Sequence, residues 1–203
     1  GYSFIANTAI TRLKVPKTVN RRGTGSIVSV VTNGATDGAG ALRTVVFEEG
    51  MTKIPNYFCS NYSSNTTLVE VEIPESVTEI GKYAFYNCAG LEGVSFPEAL
   101  QKIGASAFYG CSSLEEAILP WNLNFIGSWA FKNCTKLQTV RIPKAVTSIL
   151  TDSFSGCSDL TIYGYSGSYA ETYAHNNNIP FVVLDDEDEE SGEWFNLQKD
   201  GYW

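Results

Sequence analysis

The sequence has 203 residues, 43% hydrophobic and 18% charged, so it encodes a folded chain with a sizeable core and not a disordered one. The formal net charge is −8, but the six consecutive carboxylates at 185–190 supply most of it. The nearly neutral remainder lacks the basic surface that binds nucleic acid or an anionic membrane. No apolar stretch approaches the ~18–20 residues that span a bilayer, so we expect no membrane insertion.

Residues 2–19 are a degraded copy of a repeat that becomes regular further along the chain. Their spacing places the first residue inside a repeat, so we expect the chain to be a fragment of a longer protein. Residues 20–40 break the period. Turn-forming Asn-Gly and Asp-Gly pairs at 33–34 and 37–38 follow the strand-like stretch SIVSVV, and they predict an inserted hairpin or extended loop. A second degraded copy occupies 42–59.

From residue 68 the chain divides into four consecutive units of 23 residues. Each follows the template L-x-x-V-x-I-P-x-x-V-x-x-I-G-x-x-A-F-x-x-C-x-x, and the units begin at Leu68, Leu91, Leu114 and Leu137. The alternating apolar residues predict a short strand that the proline ends, because proline cannot donate to a strand ladder. The V-x-x-I part predicts a second short strand, the glycine a corner, and the segment around the phenylalanine a single helical turn. One coil cannot bury its apolar side alone, but stacked coils share a continuous core.

Residues 160–184 form a divergent last unit. The pattern predicts a strand, a short helix around 169–175 and a strand at 181–184, an atypical unit that caps the array. Residues 185–203 match no repeat. They comprise the acidic run, interpreted as a solvated linker, and a tail with the aromatic residues Trp194, Phe195, Tyr202 and Trp203. We expect this tail to cover the open end, to meet a second copy or to begin a further domain.

The template resembles the BspA-type leucine-rich repeats of bacterial surface proteins, a repeat type also found in Treponema. The resemblance rests on the stretch IPESVTEIGKYAFYNCAGLEGVSFP at 73–97 and its three successors, and it covers the chain up to residue 184. It implies an α/β solenoid over 1–184, a right-handed leucine-rich-repeat superhelix with short parallel β-strands and short helical turns. It also implies secretion, attachment to a bacterial cell surface, and adhesion to host proteins or other cells. The insertion at 20–40, Leu150 in place of the template glycine, and the tail depart from the family pattern.

Four of the five cysteines recur every 23 residues, at 88, 111, 134 and 157. Neighbouring coils would bring consecutive cysteines within disulfide range, and cysteines can also ligate metal. One small residue per coil is typical of a buried column, so the sequence favours reduced core cysteines over disulfide pairing, and pairing over metal. The single histidine, His175, lies in the predicted cap helix, and no catalytic motif is present. We therefore predict that the chain is not an enzyme and needs no cofactor or metal.

The outward positions of the first strand form a ladder across the coils, and extended faces of solenoids commonly bind partners. The candidate residues on this face are Glu70, Glu72, Glu116, Ile118, Thr139 and Arg141. A second set of candidates breaks the template within one coil: Trp121, Phe125 and Trp129. These aromatic residues predict an exposed patch for a protein partner or for stacking on sugar. Alternatively, they pack beneath the tail or the insertion.

The leading hypothesis is a non-enzymatic extracellular protein–protein interaction or adhesion module that binds a protein or a glycan on a host or neighbouring cell. The alternative is a carbohydrate-binding or spacer module of a larger bacterial surface protein. Sugar stacking requires the three aromatic rings to form one exposed, coplanar strip, whereas a spacer requires that no apolar patch be exposed. The charge balance predicts no nucleic-acid partner.

Overall fold

The computed structural model describes residues 11–17, 42–60 and 66–184. They form a parallel-strand β-solenoid of about 6 turns of ~23 residues, which confirms the fold class expected from the repeat. The predicted insertion at 20–40 and the predicted linker and tail at 185–203 lie outside the described residues.

Each regular coil contributes one strand to a first sheet and one two-residue strand to a second sheet. In chain order the described elements are β1 (Arg12–Val15), β2 (Thr44–Phe47), β3 (Lys53–Ile54), β4 (Glu70–Glu72), β5 (Glu79–Ile80), β6 (Gly93–Val94), β7 (Lys102–Ile103), β8 (Glu116–Ile118), β9 (Phe125–Ile126), β10 (Thr139–Arg141), β11 (Ser148–Ile149), β12 (Thr161–Gly164), α1 (Tyr169–Asn176) and β13 (Phe181–Val183). The prolines that follow β4, β8 and β10 end these strands, as the template predicts.

The first sheet is split in its middle, whereas the second is continuous. Strands β1, β2, β4 and β6 pair in parallel, and so do β8, β10, β12 and β13. Strands β6 and β8 are neighbours, but in the described part of the chain no sheet hydrogen bonding joins them. The second sheet runs unbroken from β3 through β5, β7 and β9 to β11. In it Glu79 pairs with Lys102, and Lys102 with Phe125, so equivalent template positions stack on one another.

The structure refines the helical turn that the template predicts on the third side of each coil. Residues at two template positions have left-handed backbone angles, such as Tyr83 and Asn87 with φ of 56°, and a regular helix cannot continue through them. The N–H groups of Tyr83, Phe85 and Asn87 donate instead to carbonyls of the next coil, at N···O distances of 2.9, 2.7 and 2.7 Å. The turn segments therefore stack through a backbone ladder, as the strands do.

The interior consists of columns in which one template position repeats along the solenoid. From Phe85 to Phe154 the phenylalanine rings of successive coils stack, with centroid distances of 5.3, 5.2 and 5.3 Å. The thiols of Cys111 and Cys134 donate to the carbonyls of Phe85 and Phe108 in the preceding coil, at 3.3 and 3.1 Å. All five cysteines are reduced thiols outside any disulfide, and four of them are buried. The cysteine column is thus a hydrogen-bonded part of the core.

The corner glycines allow the backbones of successive coils to approach closely. A Cβ atom on Gly104 would lie 2.7 Å from the carbonyl carbon of Gly81 and 2.7 Å from the amide nitrogen of Lys82. A Cβ atom on Gly127 would lie 2.5 Å from the amide nitrogen of Ala105. Because the obstructing atoms belong to the backbone, no side-chain movement relieves the conflict.

Helix α1 closes the C-terminal end of the core, where the sequence predicts a short helix. Ser168 caps the helix, accepting a hydrogen bond from the N–H of Glu171 at 3.2 Å. Tyr173 stands on Phe154, with ring centroids 5.9 Å apart and planes at 72°. It therefore takes the place of the next phenylalanine in the column.

Candidate interaction surface

The outer face of the first sheet carries a groove of about 1150 Å³, which extends from β4 to β12 and which we name the outer groove. Its lining is formed by residues 69–73 and 92–95 together with Glu115, Glu116, Gln138, Thr139, Arg141 and Tyr163. Side chains alternate between the two faces of a strand, so most of this lining occupies template positions that point away from the core. Core packing therefore leaves the identity of these residues largely open.

Carboxylates dominate the outer groove. The described part of the lining has one arginine, Arg141, and five carboxylates: Glu70, Glu72, Glu92, Glu115 and Glu116. A carboxylate oxygen of Glu72 lies 2.8 Å from the guanidinium of Arg12, and Glu70 accepts a hydrogen bond from the Thr44 hydroxyl at 3.3 Å. Within residues 11–17, 42–60 and 66–184, no ion pair or side-chain hydrogen bond engages the other three carboxylates. The groove therefore holds a surplus of negative charge.

The second sheet, by contrast, neutralises its exposed charges internally. The Glu79 carboxylate lies between the ammonium groups of Lys53 and Lys102, at N···O distances of 2.9 and 3.8 Å. The Lys102 ammonium also lies over the ring of Phe125, 5.4 Å from its centroid. Cations and anions thus alternate from strand to strand on this sheet, an arrangement that the carboxylates of the outer groove lack.

Gly93 leaves a gap in the row of outward side chains at the centre of the outer groove. The register places it beside Glu70 of β4, and the repeat places Glu116 at the same template position in the next coil. A Cβ atom built on Gly93 meets nothing within 4 Å. At least two strand spacings, about 10 Å, separate the positions of Glu70 and Glu116, which leaves room for one side chain of a partner. We name this gap the Gly93 notch.

Five of the six outward residues that the sequence proposes for binding line the outer groove: Glu70, Glu72, Glu116, Thr139 and Arg141. Ile118 differs from the expectation, since only 4% of it is exposed. It packs with Tyr165 in a small cluster outside the main core, and Trp121 and Leu184 lie against this pair. An apolar side chain on the outer face is more stable when it is covered, and the cap unit supplies the cover.

The three template-breaking aromatic residues do not form one strip. Trp121 is half-buried, with its ring centroid 6.3 Å from that of Tyr165. Phe125 lies in the second sheet, and Trp129 in the turn segment, where it is 43% exposed and its Nε1 donates to Asp152 at 3.4 Å. Among the described residues no ring contact joins the three, so the coplanar strip that sugar stacking requires is not formed.

The sequence prediction missed several residues of the outer groove. Glu92 and Glu115 lie outside the predicted outward ladder. Tyr163 belongs to the divergent last unit, and its ring centroid lies 6.0 Å from the guanidinium carbon of Arg141. A signal for the first two was present, because the residue after the opening leucine is polar in three of the regular repeats: Glu92, Glu115 and Gln138.

The buried cysteines of the column are poor metal ligands and poor nucleophiles. Burial raises the pKa of the thiols of Cys88, Cys111 and Cys134, which disfavours the thiolate that metal binding and nucleophilic attack require. Cys157, at the end of the column, is half-buried, and a hydrogen bond with Cys134 lowers its pKa. Across the described ranges, no group of three or more His, Cys, Asp or Glu side chains is arranged to hold a metal ion. Nor is the helix in those ranges long and apolar enough to cross a membrane.

The repeat that builds this surface is found in known proteins. Residues 29–161 match the model of the BspA type leucine rich repeat region, in 6 copies. The chain belongs to this family. The outer groove is therefore a surface of BspA-type repeats, and the resemblance seen in the sequence is confirmed.

Solved structures of leucine-rich repeat proteins resemble this BspA-type chain. The leucine-rich repeat protein of T. pallidum is 24% identical with a TM-score of 0.56, and the match covers 95% of this chain and 84% of that one. A leucine-rich repeat protein from Bacteroides ovatus is 25% identical with a TM-score of 0.59, over 75% of this chain and 39% of that one. No curated protein matches the chain. The likeness to the T. pallidum protein supports the solenoid fold.

Proposed function

We propose that this chain is an extracellular interaction module of a bacterial cell surface, which adheres to a protein on a host or neighbouring cell through the outer groove. Membership of a leucine-rich repeat family supports a protein-binding role, because such domains generally bind proteins. Secretion and adhesion are what the resemblance to BspA-type surface proteins implies.

The observation that carries the proposal is the difference between the columns of the solenoid. Inside, one template position holds Phe85, Phe108, Phe131 and Phe154 in turn. On the outer face, one position holds Glu70, Gly93, Glu116 and Thr139 in turn. Packing accounts for the repeated interior. It does not account for a groove in which carboxylates lie close together, since like charges repel. A binding surface accounts for both the variation and the surplus charge.

Blocking the groove tests this proposal. Thr139 is half-buried in the groove lining and uncharged, so Thr139→Trp fills the groove without changing its charge. The labelled chain is titrated onto a panel of immobilised extracellular-matrix proteins and onto intact host cells. We expect saturable binding to at least one surface, weakened about tenfold or more by the substitution, because a bulky side chain prevents close approach of the partner.

Thr135→Trp is the matched control, because Thr135 is exposed and lies outside the groove lining. This variant is expected to bind as the wild type does. Absence of saturable binding to every surface contradicts the proposal, as does binding that Thr139→Trp leaves intact in a folded protein.

A further inference from the structure

We propose that the outer groove selects a cationic peptide segment of the partner, with one arginine or lysine side chain seated in the Gly93 notch between Glu70 and Glu116. This inference rests on the proposed function and gives the chemical class of the partner. Two features of the structure lead to it: the charge balance of the groove and the shape of its centre.

The excess of carboxylates in the outer groove favours the binding of a positively charged partner. Glu92, Glu115 and Glu116 have no cationic partner in the described residues, and they come from two adjacent coils beside Glu70. Clustered carboxylates in a groove concentrate a negative potential, which attracts cations and suppresses the approach of anionic segments. The Lys53, Glu79 and Lys102 row on the second sheet shows that this chain can neutralise such charges internally. In the groove it does not.

The Gly93 notch gives the attraction a defined place. A long basic side chain entering over Gly93 meets the backbone of β6 below and a carboxylate on either side. Glutamate side chains are flexible enough to close the remaining distance to hydrogen-bonding range, about 2.8 Å for a charge-assisted pair. Arginine suits the notch better than lysine, because its planar guanidinium presents donors in several directions and can bridge two carboxylates.

The two ends of the groove limit the length of the segment. Arg12 pairs with Glu72 on the side of β1, and Arg141 lies beside Tyr163 on the side of β12. Among the described residues, the groove carboxylates without an ion pair therefore lie between β4 and β8, a stretch of at least two strand spacings, about 10 Å. An extended peptide covers this distance with about three or four residues. The expected motif is short, with two or three basic residues.

A fluorescein-labelled Arg-Gly-Arg-Gly-Arg peptide is the probe, with Glu-Gly-Glu-Gly-Glu as the charge-reversed comparison. Fluorescence anisotropy with the full chain is expected to show binding of the first peptide only, weakening as the salt concentration rises. The double variant Glu70→Gln, Glu116→Gln is expected to bind the arginine peptide about tenfold or more weakly, because both walls of the notch lose their charge. Circular dichroism verifies that each variant is folded.

Two further variants separate the notch from general attraction. Glu49→Gln with Asp159→Asn removes the same charge from exposed positions outside the groove, and it leaves the acidic run at 185–190 in place. This control is expected to change the affinity less than about twofold. Gly93→Leu keeps every charge but fills the notch, and it is expected to weaken binding about fivefold or more. Equal loss in the control, or full binding by folded Gly93→Leu, overturns the proposal.

The matrix-protein assay distinguishes failure of the cationic selectivity from failure of the proposed adhesion function. Suppose the binding lost in Thr139→Trp survives Glu70→Gln, Glu116→Gln. The groove is then an interaction surface for a partner that is not cationic. In that case the proposed selection of a cationic segment fails and the proposed function stands. If the arginine peptide binds through the notch but no extracellular protein or cell does, the charge selectivity stands and the proposed function fails.

Discussion

The turn side and the outer face of this solenoid differ in how far their residues repeat from coil to coil. On the turn side the regular coils repeat the same phenylalanine, cysteine and left-handed backbone positions, and the N–H groups of Phe85, Phe108 and Phe131 donate to carbonyls of the next coil. On the outer face the residues change from coil to coil, and three carboxylates, Glu92, Glu115 and Glu116, have no ion pair or side-chain hydrogen bond among the described residues. Repetition therefore marks the positions where stacking sets the residue. Variation marks the positions that are available for recognition.

Removing one ring from the repeated side is expected to have the largest effect. Phe108 is fully buried between Phe85 and Phe131, so Phe108→Ala leaves a cavity that backbone ladders on both sides prevent from collapsing. We expect a loss of about 3–5 kcal/mol in the free energy of unfolding, measured by urea titration. The control Phe125→Ala, on the second sheet, is half-buried and is expected to cost about 1 kcal/mol or less. Equal losses would erase the distinction between the two sides.

Adding one methyl group at a corner glycine is expected to cause the second largest loss of stability. Gly104→Ala places a Cβ against backbone atoms of the preceding coil and is expected to cost about 1–3 kcal/mol. Gly93→Ala is the matched substitution on the outer face. Its Cβ meets open space, and a less flexible unfolded chain is expected to make it neutral or up to about 1 kcal/mol more stable. Thermal unfolding of the pair measures the contrast, and a destabilised Gly93→Ala speaks against the open notch.

The cysteine column predicts a loss of stability at alkaline pH. Burial raises the pKa of Cys111 above its unfolded value, so the unfolded chain loses this proton first as the pH rises. The stability is complete below pH ~8.5 and falls above it, by about 1.4 kcal/mol per buried thiol near pH 9.5. Cys111→Ala is expected to flatten the dependence of the unfolding free energy on pH by about 2 kcal/mol between about pH 8 and 10. An unchanged slope contradicts the burial of this thiol.

The smallest effect is expected at Glu98, beside Glu75. Burial, and then the neighbouring carboxylate, raises the pKa of Glu98, so its charged form is disfavoured in the folded chain. Since the folded pKa is raised, the penalty is present above the folded pKa and disappears as the pH falls through it. Glu98→Gln is therefore expected to raise the unfolding temperature slightly at pH 7 and not at pH 3. The exposed Glu49→Gln serves as the control, and a lower unfolding temperature for Glu98→Gln at pH 7 contradicts this interpretation.

The fold was predictable because the interior is periodic. Residues such as Leu91 and Ile103 recur at fixed spacing, and a spacing is enough to assign strands and a stacked core. The left-handed angles at Tyr83 and Trp129 were not predictable, because bulky residues rarely adopt them. They follow from hydrogen bonds to the next coil, and those bonds depend on the stacked array and not on the local sequence. Leu150 shows the same effect, since it stands at a corner position yet keeps the ladder bond to the carbonyl of Ile126, at 2.9 Å.

The candidate site was predictable only in part. Alternation along β4 identified Glu70 and Glu72 as outward, because a strand turns successive side chains to opposite faces. Alternation says nothing about what covers a residue from outside, and Ile118 is covered by Tyr165 from a distant segment of the chain. Alternation within a strand also does not identify residues at the rim, such as Glu92. The Glu92 carboxylate becomes part of the groove only when neighbouring coils are stacked.

The backbone ladders that join every described coil to the next also govern how such a protein can change its length. A duplicated or deleted stretch of 23 residues starts and stops at equivalent points of the template, so the flanking coils find the same donors, acceptors and side-chain columns as before. Everything beyond the change shifts along the axis by one strand spacing, about 4.8 Å. The separation between the carboxylates of β4 and Arg141 therefore takes only whole-number values, counted in coils. Recombination between repeats can adjust the reach of the surface in discrete steps while leaving the core unaltered.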